Sequence, residues 1–358
     1  MSAMENWSAT LAAGAILTAL FSAISVRMVR RIAVKRALFD LPNTRSSHLA
    51  PVPRLGGAAF IPVVGLGVLV LGFSGGVVTP PALAAFFGGL ALFTVSLVDD
   101  FRSLSTAVRF AVQFMAAGAF VLVAARNEPR VLQFPWVCGW LAGALLVVWI
   151  VGLLNIYNFM DGIDGIAGIQ AVVAGIAWHR IGVMLEAPWA AATGACVAAG
   201  AAGFLTLNWA PAKIFMGDAG STVLGFIFAT LPMLVWRETQ GVAQLHKLLA
   251  AAVLIVWPFV ADGTFTLLRR AARGENVLQA HRSHLYQRLV QAGRSHAFVS
   301  TVYGLVATGG AGAALGALDQ GGTRWIGAAG YGLLAFIVLW IWTVCAEGQQ
   351  ARDETAGK

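Results

Sequence analysis

Carboxylates gather at the ends of apolar stretches in this chain: Asp99-Asp100, Asp161 with Asp164, and Asp218. Acidic side chains are costly beside lipid and persist there when buried in protein, paired, or bound to a cation. The richest segment is Asn155-Ile156-Tyr157-Asn158-Phe159-Met160-Asp161-Gly162-Ile163-Asp164-Gly165. Its oxygen-bearing side chains recur at three-residue steps, so a helical turn would stack them on one face. Such oxygens suit Mg²⁺, which takes one or two carboxylates and completes its shell with substrate phosphates and water. The plainer reading, a helix cap followed by a turn, needs only one Asn and one Gly.

Two further segments add to this. In Asn208-Trp209-Ala210-Pro211-Ala212-Lys213-Ile214-Phe215-Met216-Gly217-Asp218-Ala219-Gly220-Ser221, the acid stands just before a new apolar run. Gly217 and Gly220 let backbone approach a ligand, and a helix N-terminus attracts anions. An N-cap Asp is the bland alternative. Asp99 and Asp100 are followed by Arg102 and Arg109. Adjacent carboxylates repel, so at least one should have a perturbed pKa or hold a cation, unless the pair is simply a solvated loop. Together these groups suggest a metal-dependent site for a charged substrate.

The elements that must position them are membrane spans. Of 358 residues, 58% are hydrophobic and 11% charged, with a mean hydropathy of +0.77. A soluble domain carries roughly 25% charged residues. About eleven spans of the required length are expected near 8–26, 56–74, 80–98, 106–125, 137–154, 162–179, 188–206, 220–236, 248–268, 298–317 and 325–345. The fold class is therefore all-α: a polytopic helix bundle forming one integral membrane domain over 1–358. The first segment has no Lys or Arg before its apolar run and reads as a retained span rather than a cleaved signal.

Connections near 27–55, 99–105, 155–161, 207–219 and 269–297, with the C-terminal tail, hold 17 of the 24 Lys and Arg; the opposite side holds six. The positive-inside rule places the richer side in the cytoplasm, with the N-terminus out and the C-terminus in. Every acidic cluster falls on that side. The net charge of +8 then reflects loops that orient the chain and meet anionic lipid and phosphate, not nucleic acid. Cys138, Cys196 and Cys345 lie in apolar runs with no metal spacing and read as packing residues. Small-residue stripes on the spans serve equally inside a bundle or between two copies in a homodimer.

In this order, the segments resemble the polyprenyl-phosphate N-acetylhexosamine-1-phosphate transferases (glycosyltransferase family 4). The resemblance runs from about residue 40 to 290. It includes Asp40-Leu41-Pro42-Asn43 with Arg45 and His48, then Pro51-Val52-Pro53-Arg54-Leu55-Gly56-Gly57. After these come the Asp pair, the Asn/Asp segment, Phe215-Met216-Gly217-Asp218 and His281-Arg282-Ser283-His284. It implies transfer of a sugar 1-phosphate from a UDP-N-acetylhexosamine to a lipid phosphate such as undecaprenyl phosphate, with release of UMP. It further implies a bacterial inner-membrane enzyme with a cytoplasmic site and Mg²⁺ as cofactor, replaceable by Mn²⁺.

By the same resemblance, Asp218 and Asn158 are the metal ligands. Asp99 and Asp100 sit at the acceptor phosphate, one of them as base. Asp164 and Phe215 bind uracil, the ring by stacking. His281, Arg282 and His284 contact donor phosphates. Asn155, Asp161, Lys213, Arg109, His48 and Arg54 complete the candidate substrate contacts. Two departures stand out: Ala107 where the family often has Lys, and His-Arg-Ser-His in place of three consecutive His. The second points away from the muramoyl-pentapeptide branch and toward enzymes that begin O-antigen or related surface glycans.

Other readings are weaker on the residues. Asp161 to Gly165 fits the start of a CDP-alcohol phosphotransferase motif, but the required downstream Arg and second Asp pair are missing from Ile166-Ala167-Gly168-Ile169-Gln170. Met216-Gly217-Asp218 only loosely matches an intramembrane aspartyl protease. A transporter should carry polar groups at mid-membrane, where only Asp262 stands out.

Overall fold

The computed structural model describes residues 3–40, 50–75, 78–133, 137–239, 244–276 and 281–356. The expected contacts at Arg45 and His48 lie outside these residues. Among the described residues, ten helices are long and apolar enough to cross a membrane: α1 (Ala3–Lys35), α2 (Gly56–Ser74), α3 (Pro80–Phe101), α4 (Thr106–Asn127), α5 (Gly139–Phe159), α6 (Ile166–Met184), α7 (Pro188–Asn208), α8 (Asp218–Glu238), and, near the C-terminus, α12 (His296–Gln320) and α13 (Arg324–Ala356). Between α8 and α12 lie α9 (Leu245–Ile255), α10 (Trp257–Ala272) and the short α11 (Leu285–Gln291). One small ribbon pairs β1 (Phe39–Asp40) antiparallel with β2 (Val52–Pro53), Phe39 opposite Pro53.

Helix starts follow local chemistry. The Thr79 side chain accepts from the Ala82 amide ahead of Pro80-Pro81, and the Ser105 and Ser295 hydroxyls accept from Val108 and Phe298. Each satisfies an amide that the first turn leaves unpaired. Large apolar side chains such as Leu66, Leu122, Leu305 and Ile326 face outward, as lipid contact requires. The central post is α8, whose most apolar stretch is 94% buried. Its N-terminal end therefore sits at a fixed place among α2, α3 and α5.

One expected span differs. The apolar run 248–268 is not one rod: α9 and α10 meet at a bend of 83°. Pro258 stands in the first turn of α10. Its missing N–H and its ring's clash with the preceding turn favour a break there, although α2 and α8 run on through Pro62 and Pro232. The second arm carries Asp262 sideways into the bundle, where it is buried.

Helix ends also run further than the expected loops. Asp99 and Asp100 lie in the last turn of α3, and Asn155 and Asn158 in the last turns of α5. The stacked face therefore holds the two Asn only; Asp161 and Asp164 occupy the turn that follows.

Candidate active site

The ends of α3, α5 and α8 converge. Neighbouring residues on a helix diverge by about 100°, so the two Asp of α3 serve different partners. Asp99 accepts from the Leu104 amide (2.6 Å) and from Arg109 Nη1 (3.2 Å). Asp100, buried, accepts from the backbone amides of Asp218 (3.1 Å) and Ala219 (3.3 Å). It thus caps α8 from another helix, leaving the Asp218 side chain free of the capping role that the bland reading gave it. Gly217 precedes with φ 76°, ψ 170°, a region essentially restricted to glycine, and a Cβ there would lie 2.9 Å from Asp100 Oδ2.

Asp218 meets α5 directly. Asn158 Nδ2 donates to Asp218 Oδ1 (3.0 Å) and to Ser221 Oγ (3.0 Å), while Arg109 Nη1 stands 3.7 Å from Asp218 Oδ2. Arg109 therefore bridges Asp99 and Asp218. Asn155, one turn back on α5, exchanges hydrogen bonds with Gln113 of α4 (2.8 and 3.4 Å). A crevice of about 90 Å³ opens between these groups, lined by Arg109, Gln113, Asn155, Asn158, Asp218 and Thr222, with apolar residues of α3 and α4 on its other wall. Asp161 is only partly exposed. Burial first, and then the charges of Asp218 and Asp100, push its carboxyl up to about 7.

The motif around Pro53 supports this arrangement through its backbone. Phe215 N donates to Pro53 O (2.8 Å), Gly56 N to Phe215 O (2.8 Å) and Gly57 N to Met216 O (2.6 Å). Phe215 is half-buried at the edge of this seam, and Arg54 stands near enough for its charge to act on Asp100. Lys213 is exposed; its carbonyl accepts from Arg30 Nε of α1 (3.1 Å).

Asp164 ties the turn together: Oδ2 accepts from the Ala212 amide (3.0 Å), Oδ1 lies 3.3 Å from His296 Nδ1, and its carbonyl accepts from Ser300 Oγ (2.7 Å). In the last motif, His284 is buried and Arg282 half-buried. Burial, then the neighbouring His284 and Arg270, hold the His281 ring down at about 4, so it is neutral at pH 7.

Comparison with known proteins bears on this geometry. Residues 82–235, which span α3 to α8, match the model of glycosyl transferase family 4. A probable undecaprenyl-phosphate N-acetylglucosaminyl 1-phosphate transferase of Bacillus subtilis (strain 168) is 31% identical over 78% of this chain and 77% of its own length. The chain belongs to glycosyl transferase family 4. A decaprenyl-phosphate N-acetylglucosaminephosphotransferase of Mycobacterium tuberculosis (strain CDC 1551 / Oshkosh) is 30% identical over 84% of this chain and 82% of its own. An undecaprenyl-phosphate alpha-N-acetylglucosaminyl 1-phosphate transferase of Salmonella typhi is 27% identical over 76% and 75%.

Within this family 4 chain, several site residues were not singled out from sequence. Gln113 and Thr222 line the crevice, Ser221 accepts from Asn158, and His296 faces Asp164. Gln113 had a usable signal, an amide side chain inside an apolar span. The others look like ordinary helix-start residues until tertiary contacts are known. As for a metal, Asp218 and Asn158 each carry a side-chain oxygen, and the two side chains meet through Asn158 Nδ2. Among the described residues, no group of three or more His, Cys, Asp or Glu could hold an ion alone. That donor set fits Mg²⁺, which commonly relies on one or two carboxylates plus substrate phosphates.

Proposed function

We propose that this protein transfers an N-acetylhexosamine 1-phosphate, N-acetylglucosamine or a deoxy analogue, from its UDP-sugar to undecaprenyl phosphate. The acceptor phosphate oxygen attacks the donor's β-phosphorus. The new P–O bond forms as the bond to the bridging oxygen breaks, and UMP leaves with that electron pair. The observation that carries this reading is the Asp99–Arg109–Asp218–Asn158 chain at the mouth of a crevice between α3, α4, α5 and α8. It gathers a cation, two carboxylates and an amide, the groups that a reaction between two anionic substrates calls for.

Roles divide accordingly. Arg109 screens the phosphates, and fixed charge in a partly dry site stabilises the spreading negative charge. Asp99, held by Leu104 N and Arg109, positions the acceptor phosphate and takes its residual proton. Asp100 acts through α8, holding Asp218 in place. Asp218 and Asn158 would hold Mg²⁺, which when bound neutralises the leaving pyrophosphate oxygens. Phe215 and Asp164 face the uracil, and the His281–His284 segment the donor phosphates.

The Lys/Arg asymmetry supports a cytoplasmic site in a bacterial inner membrane. The acetylglucosamine relatives support that donor, and the His-Arg-Ser-His segment supports the first membrane step of O-antigen or related envelope-glycan synthesis.

The test is UMP release by purified protein in detergent with undecaprenyl phosphate, Mg²⁺ and a panel of UDP-N-acetylhexosamines. Release that needs lipid and metal and vanishes in Asp218→Ala supports the reading. Absence of release with every donor, from folded protein, refutes it.

A further inference from the structure

Asp262 is a carboxylate in the arm of a broken span, 1% exposed, with no place in the reaction described above. Burying a charge is costly unless every lone pair is met. Here five donors converge. Oδ1 accepts from Thr266 Oγ1 (3.1 Å), His284 Nδ1 (3.3 Å) and Leu285 N (2.8 Å); Oδ2 accepts from Tyr286 N (3.1 Å) and Tyr303 OH (2.8 Å). Three of the five come from the His284–Tyr286 segment, and Arg269 of the same helix grips the Ser283 carbonyl (2.6 Å). The bend at Pro258 is what brings α10 to this loop.

The clamp reaches the site by two routes. The His284 ring, held through Nδ1, packs against the His281 ring at 4.8 Å between centroids, the planes tilted by 32°. Tyr286, whose amide Asp262 holds, donates its hydroxyl to the Phe159 carbonyl (3.1 Å), one residue beyond Asn158. The same hydroxyl occupies the space beside Gly162 that any Cβ there would need, next to Asp161.

We propose that Asp262 is a positioning residue for the transfer reaction. It holds the His284 ring by its Nδ1–H and aims Nε2 at the donor's phosphates, to which that nitrogen donates once it takes up a proton, and it locks Tyr286 against the turn that carries Asp161. The kinetic part rests on the reaction proposed above; the tautomer does not. Asn at 262 keeps the shape but replaces one acceptor oxygen with a donor that faces other donors.

Two measurements test this. In protein carrying ¹⁵N-labelled histidine, the His284 ring should be protonated at Nδ1, and addition of UDP-N-acetylglucosamine should shift its Nε2 resonance. A wild-type His284 in the Nε2–H form overturns the proposal whether or not the transfer reaction is right. In UMP release, Asp262→Asn should raise the donor KM by about 10-fold or more, the scale of one lost charge-assisted hydrogen bond, and change kcat by less than about 3-fold. In a His284→Ala background the same substitution should add no more than about 3-fold, the part carried by Tyr286, because residues acting through one another are not additive. Tyr303→Phe, which removes one donor and leaves the His284 contact, should stay within about 3-fold of wild type. Full additivity of Asp262→Asn with His284→Ala, or a Tyr303→Phe loss as large as that of Asp262→Asn, would mean that Asp262 only holds the fold together.

Discussion

Asp100→Asn separates anchoring from chemistry at the Asp pair. Both Asp100 oxygens are committed to the first amides of α8, at 3.1 and 3.3 Å. Asn keeps one acceptor and turns an NH₂ toward the other amide, so one charge-assisted bond is lost, about 1.5–3 kcal/mol, and its distance argues for the lower end. A loss of this size should lower the melting temperature of a 358-residue chain by about 2–3 °C. Because α8 carries Asp218, the Mg²⁺ concentration for half-maximal UMP release should rise too, while saturating Mg²⁺ restores much of kcat. The assays are thermal unfolding in detergent and UMP release titrated with Mg²⁺. A variant that melts with the wild type yet has lost all activity at saturating Mg²⁺ would refute the reasoning and make Asp100 the reacting base.

Other outcomes follow from the same geometry. Gly217→Ala forces a side chain into a glycine-only conformation and against Asp100, so it should cost about 1–3 kcal/mol and reduce activity in step, measured by thermal unfolding and UMP release. Asp161, raised to about 7 in the folded protein, binds a proton between pH 4 and 7 that the unfolded chain releases. Metal-free protein should therefore lose stability as pH rises through that window. Asp161→Asn should remove the slope, giving a higher melting temperature than wild type at pH 8 and little difference at pH 4; equal slopes would count against the buried acid.

Membership of the helix bundle was legible because lipid imposes a simple rule: about 20 apolar residues per span, each satisfying its own backbone. The exceptions have local causes. Pro258 breaks the run at 248–268, a break that hydropathy averages away. Asn158 and Asp218 stood out as polar groups at the ends of spans, and it was the family resemblance that named them as candidate ligands. Asp164 was read as a uracil contact, and the structure adds that it holds Ala212 and Ser300.

Sequence by itself therefore determined which residues are too polar for their surroundings, and on which side of the bundle they lie. It could not divide the work among them, because adjacent residues such as Asp99 and Asp100 look alike until their directions are known. Only the packing of α3 against α8 makes Asp100 a cap and leaves Asp99 to Arg109. Likewise, only the 83° bend turns Asp262 from an anomaly in a span into the centre of a clamp. Hydropathy is a sum over neighbours along the chain, whereas a carboxylate's role is set by donors that arrive from distant segments, and those donors are in place only once the helices have packed.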